Sequence, residues 1–338
     1  MIRAFGAPRG KKHPPSDHSP LSIRYRIMKL DPQAATGETK MKAGFIGTGS
    51  IGAPLATNIL DKQKSLAVFD INPDATKSLA KKQARILASP AQVANEAEVV
   101  FACMPSIDSF HAIISGEEGI LQGSKIKTFI NLGTMGTEAV AQVEVKLAAK
   151  DVVMLDSPIT GGVERAWNGD ITVVTACPKS IFQKVEPLLQ LFARDIHYVG
   201  PKVGQAQLVK ISNNIMSFTN LVVACEALVM AAKGGVDPEK ARSVMNSGSG
   251  QNSATLTKVP NFIMNRAFNM GAPMHIIEKD AVLWRMEAER LETPQNVAAA
   301  TYQTIRQALA MGLREGDLSE MIRVIERMAD FELPRTRD

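Results

Sequence analysis

The chain has 338 residues, 45% of them hydrophobic and 22% charged, with a formal net charge of +5. That length suits two domains, and the apolar content is that of a globular protein. Residues 1–40 carry eight basic against three acidic side chains and hold the whole excess, so the remainder is neutral and the high pI is no argument for a nucleic-acid partner.

Residues 1–40 show no apolar periodicity and are rich in Pro, Ser and charge, which reads as a disordered basic tail. Its arginines leave two readings open: an organelle transit peptide, or an incidental extension ahead of a start at Met41. Cys103, Cys177 and Cys225 are odd in number and far apart, without a C-x-x-C pair. They suit a reducing compartment, and a cytoplasmic location is expected. His111, His197 and His275 have no ligand spacing, so no metal site is expected.

From Lys42 onward short apolar runs alternate with amphipathic stretches. The runs are 42–46, 65–70, 98–104, 127–132, 152–156 and 171–175; helical stretches include 54–61, 74–82 and 137–150. Such alternation predicts a mostly parallel sheet covered on both faces. Beyond Lys202 no strand pattern remains. A long helical stretch over 204–233 stops at Gly234-Gly235. Asp237-Pro238 opens another helix, and further helices are predicted near 252–265, 274–291, 294–312 and 317–329. The expected fold is an α/β Rossmann-type dinucleotide-binding domain at 41–202 followed by an all-α domain at 203–333. The greasiest segment, Leu221 to Ala232, is broken by Glu226 and reads as a buried core helix, with no run near the roughly 18 residues of a membrane span. No membrane partner is expected.

The first strand runs into G-x-G-x-x-G at Gly47, Gly49 and Gly52, with Thr48, Ser50 and Ile51 between. A strand before, a helix after and an acid about 20 residues on are what the dinucleotide fingerprint requires. Asp70, at the end of the second strand, supplies the acid. Gly47 permits the turn, Gly49 the approach of backbone to pyrophosphate, and Gly52 the packing of helix on strand. A carboxylate at Asp70 would repel a 2′-phosphate, so NAD is favoured; NADP stays possible because Lys77 could serve a phosphate.

Three later stretches carry candidate chemistry. In 156–170, Thr160-Gly161-Gly162 can present N–H groups and a hydroxyl to an anion, or be an ordinary glycine loop. In 204–216, Lys210 and Asn214 are i and i+4 and share a helix face, with Asn213 one position round. A partly desolvated lysine there can act as general acid or base, or can be a structural lysine at a domain boundary. In 275–284, Lys279 and Asp280 point about 100° apart on a helix and can serve different partners, or can form a solvated pair.

Together these motifs resemble the β-hydroxyacid dehydrogenases, among them 3-hydroxyisobutyrate dehydrogenase and tartronate semialdehyde (2-hydroxy-3-oxopropionate) reductase, over roughly Met41 to Leu333. The matches are G-x-G-x-x-G, D-x-P-x-[ST]-G-G, K-x-x-N-N and K-D, in order. The resemblance implies a fold like 6-phosphogluconate dehydrogenase, with Lys210 as catalytic acid/base and Asn214 positioning substrate. It implies that Thr160, Gly161 and Gly162 bind the substrate carboxylate. It places Lys279 at nicotinamide and substrate, with Asp280 orienting the region. Met104 and Pro105, in "CMPS", match the family's cofactor loop, and Thr134 its threonine near the nicotinamide. The implied partner is a small hydroxy acid or semialdehyde, and the implied assembly a homodimer or homotetramer. Departures are Gly133 for the usual Ser, Thr160 for Ser, and Ala281 and Trp284 after K-D.

Three rivals stay open on the residues. A threonate-type dehydrogenase would use the same groups. A non-catalytic dinucleotide-binding scaffold is opposed by Lys210 and Asn214. Imine reduction, or decarboxylation of a phosphorylated sugar acid, fits less well, since imine reductases usually replace this lysine and the phosphogluconate enzymes carry a longer helical domain.

Overall fold

A computed structural model describes residues 41–335. The expectations for the basic tail, its disorder and its possible targeting role, lie outside the described residues.

The strands are β1 (Ala43–Ile46), β2 (Ala67–Phe69), β3 (Arg85–Ile86), β4 (Val99–Ala102), β5 (Thr128–Asn131), β6 (Val153–Asp156), β7 (Ile159–Thr160), β8 (Ile171–Ala176) and β9 (Ala193–Gly200). Between them run α1 (Gly52–Gln63), α2 (Lys77–Lys81), α3 (Pro90–Glu96), α4 (Ile107–Ser115), α5 (Thr137–Ala148), α6 (Gly162–Trp167) and α7 (Lys179–Leu189). The first six strands lie in the order 3-2-1-4-5-6, all parallel. β1, β4 and β5 are almost wholly buried, because helices cover both faces of the sheet. The order reverses between β1 and β4, which opens a crevice beyond their carboxyl ends, the usual ligand site of such sheets.

The sheet departs from the parallel expectation at its far edge. β8 pairs antiparallel with β6 and β7, because the chain folds back through the Thr160–Gly162 loop before the strand at 171–176 forms. β3, β7 and β9 were not expected. The first two are two residues long, and β9 is an amphipathic edge strand with only Ala193 fully buried. Their patterns carry no continuous apolar run.

The helical region contains α8 (Gln205–Lys233), α9 (Pro238–Ser247), a π-helix at Ala254–Ile263, α10 (Met274–Arg290), α11 (Asn296–Ala310) and α12 (Ile322–Ala329). The expected α-helix near 252–265 is thus a π-helix. α8 also corrects the reading of its hydropathy. Its best window has mean hydropathy 1.8, long and apolar enough to cross a membrane by those measures, and half of it is buried inside the fold. α8 packs against α9, α10, α11 and α12 and forms a second hydrophobic core with them around Leu221, Cys225 and Leu228.

Candidate active site

The glycine loop follows β1 at the crevice. Gly47 has φ +86, and a Cβ there would lie 2.5 Å from the Cys103 carbonyl oxygen and 2.2 Å from the Met104 methyl. The loop after β1 and the "CMPS" loop after β4 therefore abut, and Pro105 follows in the same turn. A Cβ on Gly52 would stand 1.8 Å from the Gly47 carbonyl oxygen, whereas one on Gly49 would meet nothing within 4 Å. Gly49 and Ser50 are exposed and Ile51 half-buried, and no side chain caps α1. An open backbone loop at an uncapped helix N-terminus fits a pyrophosphate.

Asp70 is bonded into the glycine loop itself. Its carboxylate accepts the Thr48 N–H at 2.6 Å and the Asn72 N–H at 2.8 Å. It therefore fixes the glycine loop in place while keeping lone pairs for a diol. Lys77, the residue that could have served a 2′-phosphate, pairs with Asp74 at 2.6 Å.

The second half of the site hangs from α8 and α10. Lys210 is 9% exposed, and its Nζ donates to Asn214 Oδ1 at 2.9 Å. Asn214 donates its Nδ2 to Asp280 Oδ2 at 2.7 Å. Lys279 donates to Asp280 Oδ1 at 2.8 Å and to the Thr134 carbonyl at 2.5 Å. Five expected site residues thus form one chain of hydrogen bonds. Lys279 and Asp280 do serve different partners, Thr134 and Asn214, and they also pair with each other as a largely buried rather than a solvated pair. Burial lowers the Lys210 pKa to about 8; the Asp280 carboxylate opposes that shift and the Lys279 ammonium adds to it.

Thr160 enters through Asn213, whose Nδ2 lies 3.5 Å from Thr160 Oγ1. Gly161 and Gly162 have φ +142 and +79 and are exposed, and a Cβ on Gly162 would meet nothing within 4 Å. Backbone N–H groups are therefore open to an anion beside Asn213.

One buried group went unread in the sequence. Gln207, one turn before Lys210, accepts the Met135 and Gly136 N–H groups at 2.8 and 3.0 Å. Its Nε2 donates to Asp156 at 2.6 Å and to the Gly133 carbonyl at 3.1 Å. Asp156 also accepts the Gly204 and Gln207 N–H groups, so it caps α8 from the end of β6. The signal was available: an amide at i−3 from a buried lysine shares its face. Glu287 of α10 accepts from Thr137 at the far end of the same loop. Thr134 is therefore held by the helical region from both sides. Gly133 is explained as well: a Cβ there would lie 2.3 Å from the Met135 methyl and 3.1 Å from the Met104 carbonyl oxygen.

Trp284 lies away from this chain of contacts. It lines a surface groove of about 400 Å³ with Ser212, Thr219 and Val297. Ser212 and Thr219 occupy the α8 face roughly opposite Lys210. Among the described residues no group of His, Cys, Asp and Glu could hold a metal ion.

Residues 42–200 match the family described as the NAD binding domain of 6-phosphogluconate dehydrogenase. Residues 204–325 match the NAD-binding family of NADP-dependent 3-hydroxyisobutyrate dehydrogenase. The chain is 28% identical to 2-(hydroxymethyl)glutarate dehydrogenase of Eubacterium barkeri, over 86% of this chain and 97% of that one. It is 28% identical to 2-hydroxy-3-oxopropionate reductase of Escherichia coli (strain K12), over 87% and 100%. Its fold matches a solved 3-hydroxyisobutyrate dehydrogenase from Mycobacterium tuberculosis with TM-score 0.76 at 21% identity, covering 84% of this chain and 99% of that one.

Proposed function

The chain belongs to the β-hydroxyacid dehydrogenase family of NAD(P)-dependent oxidoreductases, and on that premise we propose that it interconverts a small 3-hydroxy acid and its semialdehyde with Lys210 as general acid and base. The observation that carries this is the buried Lys210, bonded to Asn214, whose pKa burial lowers to about 8. In oxidation the neutral amine takes the hydroxyl proton while Asn214 holds the substrate oxygen. In reduction the ammonium returns the proton to the carbonyl oxygen. The nicotinamide, when bound, supplies or accepts the hydride. Thr160, Gly161 and Gly162 take the substrate carboxylate, and Asp280 holds Asn214 and Lys279 in register. The cleft between the two regions excludes water from this step.

Gly47, Thr48, Gly49, Ser50, Ile51, Gly52 and Asp70 hold the dinucleotide at its adenosine and pyrophosphate end. Met104, Pro105, Thr134 and Lys279 border its nicotinamide. NAD rather than NADP is the reading supported by the Asp70 carboxylate and by the pairing of Lys77 with Asp74. The substrate is a 3-hydroxyisobutyrate-like acid, with 2-hydroxy-3-oxopropionate or a threonate-type acid as the alternatives. The domains divide at about 202, supported by β9 ending at Gly200 and α8 starting at Gln205. A homodimer or homotetramer is supported by α8, which exposes Val209, Met216, Val223 and Met230 at seven-residue intervals. A cytoplasmic location is supported by three free cysteines.

The test follows reduced nicotinamide by absorbance with a panel of 3-hydroxy acids and semialdehydes, for wild type and Lys210→Ala and with both cofactors. Lysine-dependent turnover of one acid is the expected result. Binding of NAD without turnover of any acid would leave a non-catalytic scaffold instead.

A further inference from the structure

Two unusual features of the helical region meet at Lys258. It stands on the π-helix Ala254–Ile263. Ten residues of this geometry are uncommon, since π segments occur mostly as single turns and often at functional sites. Lys258 is also a part-buried ammonium whose hydrogen bonds, among the described residues, all go to one residue. Its Nζ donates to the Ser217 carbonyl at 3.3 Å and to the Ser217 hydroxyl. Among the described residues no carboxylate lies within ion-pair distance of it. Burial pushes its pKa down to about 8. A cation in that position is costly without a counter-charge.

The partner residue fixes where this cation stands. Lys210, Asn214 and Ser217 are i, i+4 and i+7 on α8 and fall on one face. Ser217 lies one turn beyond Asn214, roughly 4.5 Å along the axis. Phe218, Leu221 and Cys225, which follow on that side, are buried and apolar. The polar line thus begins at Lys210 and ends at Ser217 with Lys258 above it. The step from Asn214 to Ser217 is about one helical turn, a distance that a short acyl chain spans.

We propose that Lys258 and Ser217 form an anion subsite for a second carboxylate, so that among acids of the 3-hydroxyisobutyrate type one extended by a second carboxylate is preferred over its monocarboxylic counterpart. The inference rests on the reaction proposed above. The incoming carboxylate supplies the missing counter-charge and accepts a charge-assisted hydrogen bond from the remaining ammonium proton. Ser217 spends its hydroxyl and carbonyl on aiming that ammonium along the helix face.

Matched mono- and dicarboxylic 3-hydroxy acids, assayed with the full chain and NAD, test this. Wild type is expected to favour the diacid in kcat/KM by roughly tenfold or more. Lys258→Met is expected to raise KM for the diacid by a similar factor, with kcat and the monoacid KM little changed. Equal use of both acids by wild type, or equal loss on both in the variant, overturns the subsite. If Lys258→Met does not fold, Ser217→Ala decides: a selective rise in diacid KM supports the proposal and an unchanged one overturns it. Calorimetric titration of glutarate into the NAD-loaded protein separates this from the reaction itself. Lysine-dependent glutarate binding without turnover of any acid would keep the subsite and remove the proposed reaction; turnover with no such binding would do the reverse.

Discussion

Gln207 Nε2 lies 2.6 Å from Asp156 Oδ1, with both side chains fully buried. This contact ties the end of β6 to the first turn of α8, and Gln207 Oε1, which accepts the Met135 and Gly136 N–H groups, ties that turn to the loop holding Thr134. Gln207→Leu leaves the Met135 and Gly136 N–H groups without an acceptor. Each orphaned group costs about 1–3 kcal/mol, so a stability loss of several kcal/mol is expected in urea denaturation. The same variant loosens Thr134 against Lys279, so kcat falls more than cofactor affinity. A variant that kept both stability and kcat would show that the contact positions nothing.

Two glycines of one motif fail for different reasons. Gly52→Ala sets a methyl 1.8 Å from the Gly47 carbonyl oxygen, where only backbone could move. A loss of Tm is expected, with cofactor binding lost alongside. Gly49→Ala meets no protein atom. Its Tm is expected to stay within a degree or two, while its Kd for NAD rises, because on the proposed reading the methyl takes space left for the pyrophosphate. Thermal melts and NAD titration of the pair separate the two roles.

The proposed role of Lys210 as acid and base predicts mirror-image pH profiles for the two directions. Its pKa is lowered to about 8 chiefly by burial. Oxidation needs the neutral amine, so kcat/KM for the hydroxy acid rises with pH and levels off above about 8. Reduction needs the ammonium and declines across the same window. Asp280 raises this pKa, so Asp280→Asn moves both inflections to lower pH. Lys210→Ala removes roughly two to four orders of magnitude of rate and abolishes the inflection. An unmoved inflection in that variant would assign it to another group.

The cysteines give an inexpensive check on packing. Burial pushes the Cys103 thiol up to about 12 and the Cys177 thiol to about 11, and raises Cys225 as well. The thiolate is the reactive form, so all three should alkylate slowly at neutral pH until the protein is denatured. Mass spectrometry after a timed iodoacetamide pulse reads this out, and fast labelling of Cys177 or Cys225 in the native protein would contradict their burial, while the half-buried Cys103 should label first of the three.

Local chemistry made much of this protein legible in one dimension. Buried parallel strands must be apolar along their length, and a pyrophosphate turn must have glycine where side chains collide. Those two demands exposed β1, β4, β5 and the loop at Gly47, Gly49 and Gly52 before any coordinates. The i, i+4 spacing joined Lys210 to Asn214 in the same way, because a helix makes such pairs neighbours whatever surrounds it. Other features depend on residues far apart in the chain. Short strands such as β3 and β7 have no pattern of their own and form only because a neighbouring edge supplies hydrogen bonds. The antiparallel turn of β8 is set by how the Thr160–Gly162 loop folds back, and the apolar length of α8 becomes a core only through α10, α11 and α12. Asp156 meets Gln207 across 51 positions, and Lys258 meets Ser217 across 41. Sequence supplied the residue types of the proposed site; the tertiary structure decided which buried charges have partners, because pairing and desolvation are properties of three-dimensional neighbours.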